Sequence, residues 1–135
     1  SAGATGTYDL NEVATEIQAG SYALMDTAFA PLVPEFVPAL WVEATVVSVA
    51  RRHAVVDCGL KALGMDHGDP TIDAARIVVV SDEHITFVPD TPVLVGDRVR
   101  VWPAHVDPTV AYHERMHVVD GDDVLESWAV DLRGW

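Results

Sequence analysis

The sequence predicts a mostly β protein, built as a barrel or a sandwich. From about residue 40 onward, the chain consists of short runs rich in β-branched residues, which are typical of strands. Residues with turn chemistry separate these runs, as in Val95-Gly96-Asp97 and Gly121-Asp122-Asp123. Such close spacing favours a barrel or sandwich over alternating βα units. A chain of 135 residues, half of them hydrophobic, can form one packed core of this kind.

The first 26 residues have a different pattern. Residues 1–7 form a loop of small residues, and a short helix is predicted to follow. Asp9 can cap this helix with Glu12 three residues later, and Gly20 can stop it. The apolar positions that would share one face of the helix are Leu10, Val13, Ala14 and Ile17. An earlier end of the helix, with extended chain before Gly20, fits the pattern equally well. Residues 21–26 are predicted to form a strand.

Three prolines between Pro31 and Pro38 interrupt any regular element, and they mark a candidate boundary between two parts of the chain. Beyond them, seven strands are predicted from branched and alternating residues. Their ranges are 40–49, 54–57, 76–80, 84–88, 98–102, 116–120 and 124–132.

Composition excludes several classes of partner. A formal charge of −13 argues against nucleic acid and anionic membranes, because their phosphates would be repelled. The chain has no apolar run of the roughly 20 residues that a membrane span requires, and its N-terminus lacks the features of a signal peptide. The single cysteine, Cys58, excludes an internal disulfide and fits a reducing cytoplasm. Because it follows the apolar run Ala54-Val55-Val56, we interpret it as a buried hydrophobic residue.

His105 and Asp107 form the clearest candidate for a metal-binding pair. They follow the predicted strand 98–102, and side chains two residues apart converge if the extended backbone continues. Imidazole and carboxylate suit zinc or manganese, and two protein ligands leave open the positions that a catalytic ion needs. The alternative is a solvated histidine and aspartate at the end of a strand, because an isolated His-x-Asp is a weak signal.

His113-Glu114-Arg115-Met116-His117 matches HExxH, the zinc signature of many metalloproteases. That chemistry requires a helix, whereas the flanking residues favour a strand that enters a hairpin. In an extended chain, the two histidines would stand roughly 13 Å apart, at about 3.3 Å per residue, too far to share one ion. We therefore interpret both histidines as structural or solvated.

Two other residues receive structural interpretations. Lys61 is the only lysine of the chain, and nothing around it predicts the desolvation that a Schiff-base lysine needs. We interpret it as a structural or salt-bridging residue. His67, next to Gly68, is predicted to be solvated.

Four stretches, which together span nearly the whole chain, carry a resemblance to a known family. They are Ser1 to Thr7; Glu16 to Tyr22 with Asp26; Val56 to Leu63 with Ser81 to His84; and Val95 to Val99 with Pro103 to Thr109. In this order they resemble the C-terminal part of the D-threonine aldolase and D-serine dehydratase family, pyridoxal-phosphate enzymes with an alanine-racemase-like fold. The His-x-Asp pair is the specific part, since dehydratases typically carry cysteine where Asp107 stands and aldolases carry aspartate.

The resemblance implies an architecture. Residues 1–30 would be the last elements of an N-terminal (β/α)₈ barrel, with a loop that binds the cofactor phosphate. Residues 31–135 would be a C-terminal β domain that carries the metal site. The resemblance makes His105 and Asp107 the ligands of a divalent ion, manganese or zinc, with magnesium also admitted by the carboxylate. The residues that would bind pyridoxal phosphate are Ser1, Ala2, Gly3, Thr5 and Tyr22.

The function implied for the full-length protein is that of a carbon-carbon lyase for D-amino acids with a β-hydroxyl. A D-threonine aldolase, which yields glycine and an aldehyde, is preferred because of Asp107, and elimination of the D-serine dehydratase type is the alternative. The Schiff-base lysine and the catalytic base would lie in the barrel, outside these 135 residues, so this chain alone is predicted to be inactive. The resemblance also implies a homodimer. A small HExxH zinc hydrolase and a β module without catalysis are the remaining hypotheses.

Overall fold

A six-stranded antiparallel sheet forms the body of the computed structural model, which describes residues 4–131 and residue 133. Its strands are β1 (Val42–Val49), β2 (Ala54–Val56), β3 (Thr71–Ile72), β4 (Ala75–Val80), β5 (Ile85–Pro89) and β6 (Arg98–Trp102). They lie in the order β3-β6-β1-β2-β5-β4. Only residues 73 and 74 separate β3 from β4, so the two ends of the sheet meet and the sheet forms a nearly closed barrel. The predicted mostly β class is confirmed.

Alternation along the strands places the core inside this barrel. Val46 on β1 pairs with Val56 on β2, and both are fully buried. Ile85 and Phe87, two residues apart on β5, are also buried, as the two-residue period of a strand requires. Register shifts in β1 and β4 are irregularities of the kind that bend strands and help a sheet to curl. The buried cluster comprises Ala44, Val46, Ala54, Val56, Cys58, Leu63, Ile72, Ile85, Phe87 and Val101.

One helix and a hairpin follow the sheet. Helix α1 (Val106–Tyr112) begins four residues after β6. Strands β7 (Arg115–Asp120) and β8 (Asp123–Ala129) then form a separate antiparallel pair, joined at Gly121 with a φ of 60°. The seven predicted strands are all present, with ends that differ by a few residues. Strand β3 and helix α1 were not predicted. No helix among residues 4–131 is long and apolar enough to cross a membrane.

The α-helix predicted in the N-terminal segment was wrong. A 3₁₀-helix spans Thr5–Leu10, and no α-helix follows it. The side-chain oxygen of Asn11 accepts the backbone N–H of Ala14 at 3.0 Å, a local bond that competes with helix formation. The exposed fractions of Leu10 and Val13 are 73% and 93%, so these side chains bury no apolar face. The alternative of extended chain before Gly20 agrees better with an isolated β-bridge at Ile17.

The strand predicted at residues 21–26 was also wrong. Ser21–Ala23 form a 3₁₀-helix, and Met25 has a φ of 53°, which an extended strand excludes. Met25 and Asp26 are nonetheless buried, so this segment is anchored in the structure by packing.

Candidate metal centre

His105 and Asp107 lie where β6 gives way to α1. His105 has extended backbone and is the residue that precedes the helix, whereas Asp107 lies in the first helical turn. The expected continuation of the extended chain was therefore wrong. The two side chains still converge, since His105 Nε2 lies 3.6 Å from Asp107 Oδ2.

This separation suits one shared ion. Two ligand atoms that each lie about 2.1 Å from an ion are roughly 3.0–3.6 Å apart when the angle between them is about 90–120°. The side chain of His105 is only 15% exposed, whereas that of Asp107 is 65% exposed. An ion held between them would therefore face solvent or substrate on one side. The donor set and its geometry fit zinc or manganese.

Asp66 contacts the other ring nitrogen of His105, Nδ1. Its two carboxylate oxygens lie 2.9 and 2.8 Å from His105 Nδ1. A carboxylate can only accept in this contact, so Nδ1–H is the donor. The hydrogen bond from His105 holds the pKa of Asp66 below its ordinary value. Sequence analysis did not identify Asp66, because nothing in Asp66-His67-Gly68-Asp69 beyond a turn composition distinguishes it.

His67 stacks on His105, with ring centroids 3.8 Å apart and an interplanar angle of 7°. The ring of Phe29 contacts that of His67 in a T-shaped arrangement, with centroids 5.7 Å apart. The prediction of a merely solvated His67 missed this packing. Asp66, His67 and His105 offer ligand atoms within 4.8 Å of one another. An ion between these three is disfavoured, because the lone pairs of parallel rings lie in separate planes and Asp66 is already hydrogen-bonded to Nδ1. The geometry favours His105 Nε2 with Asp107.

A buried carboxylate holds the start of α1. Asp26 is 1% exposed, and its Oδ2 accepts the backbone N–H of Val106 at 3.1 Å. Its Oδ1 accepts the N–H of Phe29 at 2.9 Å. The N–H of Thr27 donates to the carbonyl of Pro103 at 3.1 Å. The segment that contains Asp26 therefore fixes the backbone on both sides of His105.

Gly64 and Thr109 fix the same turn from the opposite side. The Gly64 N–H donates to Thr109 Oγ1 at 2.9 Å, and that hydroxyl donates to the carbonyl of His105 at 2.6 Å. Gly64 and His105 also form an isolated antiparallel bridge. A Cβ atom on Gly64 would lie 2.2 Å from Pro108 Cγ, so this close approach requires glycine.

A pocket of about 290 Å³ adjoins the metal-ligand pair. Its lining includes His105, His67 and Asp107 together with the small residues Ala4, Gly20 and Ser21. The Ser21 hydroxyl lies 3.4 Å from Asp107 Oδ1. Small residues allow a phosphate to approach the backbone closely, so this lining is compatible with a phosphorylated cofactor.

The predicted cofactor-binding residues are only partly described. Ser1, Ala2 and Gly3 lie outside the described residues. Thr5 lines the pocket but is buried, and its hydroxyl oxygen accepts the N–H of Tyr22 at 3.1 Å. The ring of Tyr22 lies 5.4 Å from that of Phe36. Thr5 and Tyr22 are thus joined to each other, and Thr5 shares the pocket with His105 and Asp107.

The HExxH histidines do not share a site. His113 follows the end of α1 and its Nε2–H donates to the carbonyl of Ala62 at 2.9 Å, whereas His117 is exposed in the middle of β7. The strand predicted there is confirmed from Arg115 onward, whereas the flank 110–112, which was also predicted to be extended, is the end of α1. Lys61 forms an exposed ion pair with Glu83 at 2.6 Å, as predicted.

Cys58 is buried, also as predicted, and burial raises the pKa of its thiol to about 11.

Comparison with known proteins identifies what this chain resembles. Residues 39–119 match the family described as putative serine dehydratase domain. A 3-hydroxy-D-aspartate aldolase from Paracoccus denitrificans is 34% identical over 99% of this chain. The crystal structure of a D-threonine aldolase from Filomicrobium marinum has a TM-score of 0.87 and 36% identity over 98% of this chain. The chain spans 39% and 40% of the lengths of these two proteins.

A shorter relative occurs in Mycobacterium tuberculosis. An uncharacterized protein of that organism is 38% identical over 117 residues, which cover 71% of this chain and 84% of that protein. Unlike the aldolases, this relative is matched over most of its own length.

Proposed function

The chain belongs to the family described as putative serine dehydratase domain, and on this premise we propose that it is the C-terminal part of a pyridoxal-phosphate lyase related to D-threonine aldolase and carries the metal site of that enzyme. The substrates would be D-amino acids with a β-hydroxyl. The observation that supports this proposal is the 3.6 Å separation of His105 Nε2 and Asp107 Oδ2 beside a pocket.

The residues of this chain would bind the metal ion and the cofactor phosphate. His105 and Asp107 would bind a divalent ion and leave its other positions open toward the pocket. When bound, the ion supplies Lewis acidity toward a substrate hydroxyl, and pyridoxal phosphate supplies an electron sink. The stacked ring of His67, which itself contacts Phe29, would cover one face of His105. The small residues Ala4, Gly20 and Ser21, together with Thr5, would receive the cofactor phosphate.

Aldol cleavage is preferred over elimination within this proposal. The carboxylate of Asp107 is a harder ligand than the thiolate that dehydratases typically carry at this position, and it admits manganese. Two of the relatives that match nearly the whole chain at more than 30% identity are named 3-hydroxy-D-aspartate aldolase and D-threonine aldolase. D-threonine is the substrate we propose first, and elimination of the D-serine dehydratase type is the alternative.

Further parts of the proposal concern the full-length protein. Residues 1–30 would belong to the end of an N-terminal (β/α)₈ barrel, and residues 31–135 would form the C-terminal β domain. The protein would be a cytoplasmic homodimer. The Schiff-base lysine and the base would be supplied by the barrel, so the 135-residue chain would be inactive by itself.

The test is an assay of the full-length protein with pyridoxal phosphate, Mn²⁺ and D-threonine. Glycine and acetaldehyde should form, and His105→Ala and Asp107→Ala should each abolish their release. His117→Ala is the matched control and should retain activity. Release of ammonia and a 2-oxo acid would identify elimination instead. Full activity of both His105→Ala and Asp107→Ala would refute the metal role.

A β module that works without a barrel is the second candidate. The short mycobacterial relative favours it, because the match covers most of that protein. An antibody raised against residues 31–135 would decide between the two in an extract of the source cells. A band about two and a half times the length of this chain, in line with the aldolase relatives, supports the lyase. A band near 14.6 kDa supports the module.

A further inference from the structure

The contact between Asp66 and His105 has a specific chemical effect. A neutral imidazole carries its proton on either Nδ1 or Nε2, and only the unprotonated nitrogen can bind a metal. We infer that Asp66 is a positioning residue, which fixes His105 as the Nδ1–H tautomer and so keeps a lone pair on Nε2. The inference deepens the proposed function, on which it rests, because it gives Asp66 a task toward the same ion.

The geometry around the imidazole supports this role. Both oxygens of Asp66 lie within 2.9 Å of Nδ1, whereas Asp107 Oδ2 lies 3.6 Å from Nε2. The closer carboxylate therefore selects which nitrogen holds the proton. If Asp66 were absent, the Nε2–H tautomer could donate to Asp107 after a small movement. In that tautomer Nε2 would carry a proton and would have no lone pair to offer a metal.

Asp66 is held in place by the segment before it. Leu63 is 1% exposed, and Gly64 is bridged to His105 and bonded to Thr109. Met65 packs against the core cluster and its carbonyl accepts the N–H of Gly68 at 3.3 Å. The carboxylate thus projects from an anchored segment, although its side chain is 59% exposed. Anchoring reduces the entropy lost when the hydrogen bond forms.

The ring of His67, stacked on that of His105, also limits the orientation of the His105 imidazole. The ring of His67 lies parallel to that of His105 and opposes rotation about its Cβ–Cγ bond. A partner that fixes both ring orientation and tautomer typically changes metal affinity by about 10- to 100-fold. Asp66 supplies the hydrogen bond and His67 supplies only packing, so substitution of Asp66 should have the larger effect.

The test uses the 135-residue chain with ¹⁵N-labelled histidine, in alkaline buffer without metal, followed by titration with Mn²⁺ and Zn²⁺. Nitrogen chemical shifts should report the Nδ1–H tautomer of His105 in the unsubstituted chain. Asp66→Ala should shift the population toward Nε2–H and weaken metal binding by about 10- to 100-fold. Asp66→Asn, whose amide oxygen can still accept, should keep the Nδ1–H tautomer and lose less affinity.

Asp69→Ala is the matched control, because Asp69 is an exposed aspartate of the same loop. It should leave the tautomer of His105 unchanged. An unchanged tautomer in Asp66→Ala, with well-dispersed spectra, would overturn the inference. An equal loss of metal affinity in Asp69→Ala would also overturn it, since loss of negative charge would then suffice. If the unsubstituted chain and the full-length protein bind neither metal, the proposed function fails, and the tautomer measurement alone decides the role of Asp66.

Discussion

The carboxylate of Asp26 accepts the backbone N–H of Val106, 80 residues later in the chain, at 3.1 Å. Val106 is the first residue of α1 and separates His105 from Asp107. Asp26 therefore caps the turn that brings these two side chains together, although it contacts neither of them through this bond. Its burial, with 1% exposure, makes the contact sensitive to substitution.

Asp26→Asn should destabilise the chain and weaken the candidate metal centre together. The amide NH₂ would face a backbone N–H where an oxygen now accepts, which leaves a buried donor unsatisfied at a cost of about 1–3 kcal/mol. Urea unfolding measures this loss, and Mn²⁺ titration measures the second effect. Asp90→Asn, at an exposed aspartate, is the control. Unchanged stability in Asp26→Asn would contradict the capping role.

Asp107→Cys should change which metal is preferred. A thiolate is a softer ligand than a carboxylate, so the ratio of Zn²⁺ to Mn²⁺ affinity should rise by about tenfold or more. Competitive titration of the two metals measures this ratio. Asp122→Cys places the same group on the exposed hairpin turn and should leave the ratio unchanged. Equal preference in Asp107→Cys and the unsubstituted chain would place the ion elsewhere.

His117→Gln should leave metal affinity within about twofold of its original value, whereas His105→Gln should abolish saturable binding. The reason is geometric, because His117 is exposed on β7 and its cross-strand neighbour is Ser127. Calorimetric titration with zinc distinguishes the two substitutions. Loss of zinc in His117→Gln would revive the metalloprotease hypothesis.

The ion pair of Lys61 and Glu83 should contribute to stability only within a pH window. Their hydrogen bond raises the pKa of Lys61 and lowers that of Glu83. The contribution is lost as the pH falls through the lowered value of Glu83, and it is lost again as the pH rises through the raised value of Lys61. Lys61→Gln should therefore unfold at a slightly lower urea concentration between about pH 5 and 10, and the difference should vanish in stronger acid. A difference that persists at about pH 2 would contradict this origin.

Cys58 should resist thiol reagents in the folded chain. Burial, reinforced by the carboxylate of Asp57, raises its pKa to about 11, so roughly one thiol in ten thousand is ionised at about pH 7. Ellman's reagent should react slowly with the native chain and completely in denaturant. Rapid and stoichiometric labelling of the native chain would show that the thiol is accessible.

The strands could be predicted because their signal is local. Val42–Val49 and Ile85–Pro89 combine branched residues with alternating burial, and turn residues delimit them. The N-terminal segment could not be predicted in the same way. Its apolar residues do recur with helical periodicity. In the structure, however, the side chain of Asn11 accepts the N–H of Ala14, and Val13 is exposed, so no packing stabilises a helix there. Helix α1 was missed because Pro108 obscured its start, although proline is tolerated in a first turn.

The candidate site also contains residues that the sequence could indicate and residues that it could not. The convergence of His105 and Asp107 was predicted from their closeness in sequence, but on the assumption of an extended backbone that the structure replaces with the start of α1. Asp66 and Asp26 meet this pair only through the tertiary fold, 39 and 80 residues away along the chain from their partners. Asp66 belongs to no motif, and Asp26 was named only as part of the family resemblance, without a contact to the metal-ligand pair. Whether His105 and Asp107 hold an ion stays a prediction for the titrations above.

The β7–β8 hairpin has one further consequence. Within the described part of the chain, its two strands pair only with each other, so both outer edges present free backbone groups beside exposed Leu125 and Trp128. Such edges can recruit a strand from another molecule. The net charge of −13 keeps copies apart in neutral solution of low ionic strength. Acid or concentrated salt weakens that repulsion, and aggregation of fully folded chains through their hairpins should then set in before any unfolding.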